Sequence, residues 1–213
     1  MRFHDRVHAG KQLAKRLTKE FKGRTDVKLF ALPRGGAVLG AEVAKELGLT
    51  FELIVTRKIG APMNEEYAIG ALAETGETVW NEAERKSHPQ ATLDKIVSRE
   101  VAEAARRIRL YREGRALPDL SGQTAIIIDD GIATGSTMRA AVLAAKHQKA
   151  ARVVIAVPHG AKDSLEAMRK DGLEVIALEE PVMYWAVGAF YEQFGQVEDE
   201  EVLELMRQYG PKT

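Results

Sequence analysis

Apolar residues along this chain fall into two rhythms. Five short runs, VKLFAL (27–32), FELIVT (51–56), TAIIIDD (124–130), RVVIAVP (152–158) and LEVIAL (173–178), are dense in Val, Ile and Leu and show little polar alternation. Such runs predict strands buried on both faces, as in a parallel sheet covered by helices. Between them lie segments of helical period. Leu13, Leu17 and Phe21 mark an opening helix near 8–22; AVLGAEVAKEL precedes Gly48, and further helices are predicted near 135–148 and 162–171. The alternation predicts an α/β fold with a doubly wound, mostly parallel sheet flanked by helices.

Two stretches break the alternation. Residues 59–92 carry Gly60, Pro62, Gly70, Gly76 and Pro89 around AIGALAETGETVW, which predicts a hairpin turning at Thr75-Gly76 and a flexible lid. Residues 181–213 form an aromatic and helical appendage, or small hood, with a final helix at about Asp199 to Tyr209. A long helix near 91–113 carries Leu93, Ile96, Val97, Val101, Ala104, Ile108 and Tyr111 on one stripe. Arg99, Arg106, Arg107, Arg109, Arg112 and Arg115 fall largely off it and read as a solvated face. No repeat or low-complexity linker divides residues 1–213, which read as one domain.

Composition narrows the function classes. Lys plus Arg and Asp plus Glu both number 31, so no global charge argues for a nucleic-acid or acidic-membrane partner. Cysteine is absent, which removes disulfide and thiolate chemistry. The opening MRFHDRVHAGK is too polar for a secretory signal, and no apolar run approaches the roughly 18 residues a bilayer span takes. The expected location is the cytoplasm.

The candidate chemistry lies where strands end. In an open parallel sheet all strand-to-helix loops share one edge, where ligands bind. PRGG after the first strand, Arg57-Lys58 after the second, DDGIATGST after the third and PHG after the fourth should therefore converge. Within ATGST, Gly135 permits close backbone approach. The following helix start offers unpaired N–H groups, and Thr134, Ser136 and Thr137 add hydroxyls, which together make an anion cradle. The Walker pattern is not met, and no G-x-G-x-x-G follows a strand. Asp129 and Asp130, acceptors directly before an anion site, suit the donating hydroxyls of a sugar. A sugar phosphate satisfies both halves. A helix cap would explain the Thr and Ser alone, but it needs neither paired acids nor companion loops.

IIIDDGIATGST resembles the ribose-phosphate signature of type I phosphoribosyltransferases, ALPRGG is similar to that family's pyrophosphate loop, and TRKIGAP to its Arg-Lys segment. FHDRVHAG and AVGAFYEQFGQVEDEEV further resemble a bacterial branch of the family. The resemblance implies 5-phosphoribosyl 1-pyrophosphate as donor, with magnesium (Mg2+), and a nitrogenous acceptor such as a nucleobase. By the same resemblance, Asp129 and Asp130 would hold the ribose hydroxyls. The loop Ala133, Thr134, Gly135, Ser136 and Thr137 would hold the 5-phosphate. Arg34, Gly35 and Gly36, helped by Arg57 and Lys58, would hold pyrophosphate. No side chain is implied as a direct metal ligand, and a homodimer is the implied assembly. Purine-salvage members carry an aspartate where this chain has Ala133, which argues against hypoxanthine or guanine as acceptor; Gly131 replaces a branched residue common in the family. Two rivals share the ligand: a regulator that senses the donor without turning it over, and a sugar-phosphate hydrolase. His159 and the C-terminal aromatics Tyr184, Trp185, Phe190, Tyr191 and Phe194 read as core or contact residues before they read as substrate contacts.

Overall fold

The computed structural model describes residues 2–212, except for the side chain of Glu66. Its centre is a five-stranded parallel sheet in the order β2-β1-β6-β7-β8, formed by β1 (Val27–Ala31), β2 (Phe51–Leu53), β6 (Thr124–Ile128), β7 (Arg152–His159) and β8 (Glu174–Glu179). The middle strand shows why the apolar runs lack alternation. Ile126 and Ile128 enter the core on one face, and Ala125 and Ile127 enter the core on the other. The first face packs beneath α1 (Arg6–Phe21), α2 (Gly35–Leu47), α4 (Gln90–Arg112) and α7 (Asp199–Tyr209); the second packs beneath α5 (Ser136–His147) and α6 (Lys162–Lys170). The doubly wound parallel sheet expected from the sequence is the one observed. Among the described residues no helix is long and apolar enough to cross a membrane.

A second sheet is antiparallel, β3 (Thr56–Ala61), β4 (Asn64–Ala73) and β5 (Thr78–Trp80), followed by the short α3 (Glu82–Lys86). It corrects one expectation. FELIVT is not one strand: β2 stops at Leu53, and β3 starts at Thr56 in the other sheet. Side chains take over the backbone groups at the break. Arg112 Nη1 donates to Leu53 O at 2.9 Å, and Val55 N donates to Glu74 Oε1 at 2.8 Å. Arg112 also pairs with the Glu74 carboxylate, with its side chain 1% and that of Glu74 4% exposed. Arg112 therefore leaves the solvated arginine face assigned to it and anchors the second sheet to the first. On the same helix Val101 is 47% exposed and Glu100 is buried, the reverse of the expected stripe, because Glu100 receives Arg57.

The turn at Thr75-Gly76 joins β4 and β5 as expected. It is not the sheet's free end, since His147 of α5 pairs with Glu77 at 2.5 Å and Arg112 holds Glu74. The free end is the β3–β4 turn at Pro62-Met63, where Met63 is 96% exposed. The N- and C-terminal segments run side by side: Phe3 bridges Tyr191, with Phe3 N donating to Phe190 O at 2.8 Å.

Candidate functional site

The PRGG loop and the two aspartates meet because β1 and β6 are neighbours. Ala31 pairs with Ile128, and Leu32 N donates to Ile128 O at 2.9 Å, so both chains leave the sheet together. Glycine is required at the contact. A Cβ on Gly35 would lie 2.0 Å from Asp130 Oδ2, and one on Gly36 would lie 2.8 Å from Ile128 O. The paired glycines let the backbone of one loop lie against the carboxylates of the other. The Pro33-Arg34 peptide in this loop is cis.

A cavity of about 240 Å³ opens at this edge, lined by Lys58, Ala68, the continuous loop from Asp129 to Thr137, and Val187. A larger one, about 340 Å³ between α4 and α7, contains none of the strand-end motifs. At the floor of the first, Gly135 has φ +79°, and a Cβ there would meet Met168 Cε at 2.1 Å, so both conformation and space demand glycine. α5 begins at the next residue, which points its first N–H groups into the loop. Ser164 Oγ donates to Ala133 O at 2.6 Å and fixes the loop from outside.

Burial and mutual repulsion raise the pKa of Asp129 well above the usual carboxylate value. Burial raises that of Asp130 too, opposed by a cation that sequence reasoning missed: Arg6 Nε donates to Asp130 Oδ2 at 2.8 Å. Arg6 lies 124 positions away on α1, and nothing in the local sequence of either residue announces the other. Tyr191 OH also donates to Asp130 O at 2.6 Å. Two adjacent desolvated carboxylates fit a hard, hydrated cation such as magnesium held through water. Among the described residues no group of three or more His, Asp or Glu side chains gathers as a metal site.

The expected cations divide. Lys58 faces the cleft. Arg57, its neighbour on β3, points to the opposite side by strand alternation, where its Nε meets Glu100 Oε2 at 2.8 Å. Arg34 caps α2, but its Nη1 lies 3.4 Å from Glu198 Oε2 and 3.7 Å from Asp199 Oδ1, on the acidic start of α7. The structure thus brings together Gly35, Gly36, Lys58, Asp129, Asp130 and Ala133 to Thr137; it turns Arg57 away and docks Arg34 on carboxylates.

His159, at the end of β7, is fully buried. Its Nδ1 lies 2.9 Å from Tyr184 OH, its ring stacks among Phe3, Phe190 and Tyr191, and burial pushes its pKa down to about 4. It is a core residue, packed with Tyr184, Phe190 and Tyr191, whereas Trp185 is 85% exposed. The same cluster explains Gly131, where a Cβ would meet His159 Cε1 at 2.6 Å and Val187 Cγ1 at 2.8 Å.

Comparison with known proteins agrees with this geometry. Residues 3–194 match the model of the phosphoribosyl transferase domain. Two Mycobacterium tuberculosis sequences, from strains CDC 1551 / Oshkosh and H37Rv, each carrying the name "Putative phosphoribosyl transferase", are 40% identical over 206 residues, 96% of this chain. The chain spans 46% of the length of those relatives. The crystal structure of TT1426 from Thermus thermophilus superposes with a TM-score of 0.80 at 37% identity, covering 99% of this chain and 100% of that one. AQ2163 from Aquifex aeolicus, at 12% identity and a TM-score of 0.50, covering 82% of this chain and 74% of its own, shares the fold. A family match across most of the chain, on a parallel sheet whose glycine loop and twin aspartates meet at one edge, places this protein in the phosphoribosyl transferase domain family.

Proposed function

We propose that this protein transfers 5-phosphoribose from 5-phosphoribosyl 1-pyrophosphate to a nitrogenous acceptor and releases pyrophosphate, as a glycosyltransferase. The observation that carries the reading is the contact of Gly35 and Gly36 with the Asp129-Asp130 pair beside the Gly135 cradle. The 5-phosphate would sit on the N–H groups and hydroxyls of Thr134 to Thr137 at the start of α5. The ribose diol would donate to Asp129 and Asp130, and the pyrophosphate would lie along the backbone of Gly35-Gly36 with Lys58 opposite.

The chemistry follows from where charge develops. Breaking the C1–O bond leaves positive charge on the ribose and negative charge on pyrophosphate. Fixed N–H donors and lysine at the leaving group, and carboxylates near the ribose, stabilise that separation, an effect of about 3 kcal/mol per well-placed donor. Magnesium, held through water by Asp129 and Asp130, would neutralise part of the pyrophosphate charge. Arg34 would join the leaving group by exchanging Glu198 and Asp199 for phosphate oxygens. The Pro62-Met63 turn is the free end able to close over the cleft and exclude competing water. Ala133, where purine-salvage members place an acid, leaves no carboxylate there to assist a purine nitrogen.

The carboxylate partners of Arg34 and Arg57 favour a second reading, a chain that binds the donor without turning it over. Incubation with donor, magnesium and a panel of nucleobases and amines separates the cases. Acceptor-dependent pyrophosphate release supports the transferase. Acceptor-independent release indicates a hydrolase, and binding without release indicates a sensor.

A further inference from the structure

We infer that Arg6 is a positioning residue of the donor site: it holds the Asp130 carboxylate against Gly35 in the orientation that receives the ribose diol. The inference rests on the ligand proposed above but concerns a residue that lies outside the sheet-edge motifs.

Arg6 touches three parts of the molecule at once. Its Nε donates to Asp130 Oδ2 at 2.8 Å, its Nη1 donates to Gly195 O at 2.7 Å, and its guanidinium lies 3.8 Å over the centre of the Phe194 ring. The two charged side chains are 12% and 14% exposed. A planar guanidinium spends its donors in fixed directions, so binding Gly195 with one nitrogen fixes where the other meets Asp130. The same Nε would lie 2.9 Å from a Cβ on Gly35, which places Arg6 at the junction of the acid pair and the glycine loop.

The groups facing Asp130 show what Arg6 offsets. Asp129 precedes it in the same loop, Tyr191 OH binds its carbonyl, and the Tyr184 and Tyr191 phenols lie near enough to feel its charge. Arg6 is the cation paired with it. Without that cation, the carboxylate would swing toward water or share a proton with Asp129. Either change removes an acceptor from the diol. The bridge from Phe3 to Tyr191 on the same side makes the arrangement a clasp: the two terminal segments close on each other and present one arginine to the acid.

The test measures binding of two probes to the full chain by calorimetry with magnesium: 5-phosphoribosyl 1-pyrophosphate, and ribose 5-phosphate, which has the diol but no pyrophosphate. Arg6→Gln is expected to weaken both by a similar factor, about tenfold, the size typical of one charged pair. In an Asp130→Asn background, which keeps Asp129, the same substitution should cause no further loss. Phe194→Leu loosens the arginine without removing its charge and serves if Arg6→Gln does not fold; it should weaken both probes about two- to threefold, again only when Asp130 is present. A loss confined to the pyrophosphate-bearing probe, an equal loss with Asp130 already removed, or a lower melting temperature at unchanged affinity would each overturn the role. Failure of the unsubstituted chain to bind either probe would instead overturn the donor reading on which the role stands.

Discussion

Replacing Gly131 by alanine adds one carbon where the Asp129–Thr137 loop meets the C-terminal aromatic cluster. The new Cβ would stand 2.6 Å from His159 Cε1, 2.8 Å from Val187 Cγ1 and 3.0 Å from Tyr184 OH. His159 cannot withdraw, because it is fully buried with the Phe190 ring centre 4.8 Å away. Overpacking of this kind costs about 1–3 kcal/mol. Gly131 is not among the glycines with positive φ, so alanine suits the backbone and returns about 0.4–1 kcal/mol by restricting the unfolded chain. The net loss is about 1–2 kcal/mol, which for a chain of this size lowers the melting temperature by roughly 2–8 °C. Adding Val187→Ala, which removes one of the three clashes, should recover part of that loss. Because Val187 also lines the cleft, donor affinity should fall in Gly131→Ala and recover with the second substitution. Scanning calorimetry and donor titration of the parent, the two single variants and the double variant check this. A Gly131→Ala protein as stable as the parent would show that the aromatic cluster yields, and the packing argument would be wrong.

Other expectations follow from the same contacts. Glu74→Gln leaves the buried Arg112 guanidinium without its counter-charge and should cost about 3–5 kcal/mol, whereas the paired change Glu74→Leu with Arg112→Met should recover only part of it, because Leu53 O and Val55 N then lose their partners; urea unfolding decides, and equal losses would contradict the pairing. Burial pushes the pKa of His159 from 6.5 down to about 4, so its titration carries no penalty above pH 6.5 and destabilises the fold progressively as pH falls toward 4, by up to about 3 kcal/mol. His159→Phe should remove that part of the pH dependence between 6.5 and 4, and an unchanged difference profile would refute it. Replacing Pro62-Met63 by two glycines should lower turnover and raise donor hydrolysis. Shortening the pinned turn at Thr75-Gly76 should instead lower stability, and the reverse pattern in coupled assays would relocate the lid.

The parallel sheet was legible because its strands are buried on both faces, and a strand such as Ala125-Ile126-Ile127-Ile128 can satisfy two cores only with an unbroken apolar run. The meeting of the Gly135 loop, the glycine pair and the acids at one sheet edge was legible for a related reason: glycine at 135 and twin aspartates at a strand end are costly local choices, which only a ligand or a close neighbour explains. The strand break at Ile54 was not legible, since it is made by Arg112 and Glu74, side chains 59 and 19 residues along the chain from the backbone groups they bind. The direction of Arg57 depended on that break, because strand phase decides which of Arg57 and Lys58 faces the cleft. Arg6 was out of reach for the same reason. FHDRVHAG carried a family likeness, but its meeting with Asp130 exists only once both termini close over the sheet edge.

The central claim is that one cleft binds a phosphorylated, activated pentose with its phosphate on the Gly135 loop and its diol on the twin aspartates. Isothermal calorimetry with 5-phosphoribosyl 1-pyrophosphate and magnesium tests it most directly, run on the unsubstituted chain and on Asp129→Asn with Asp130→Asn. The account predicts saturable heat for the first and none for the second, with a cooperative melting transition showing that the doubly substituted protein is still folded. Substitution relieves two buried, mutually repelling carboxylates but takes the counter-charge from Arg6, so the two effects oppose each other in stability. No heat from the unsubstituted chain, or equal heat from both, would contradict it.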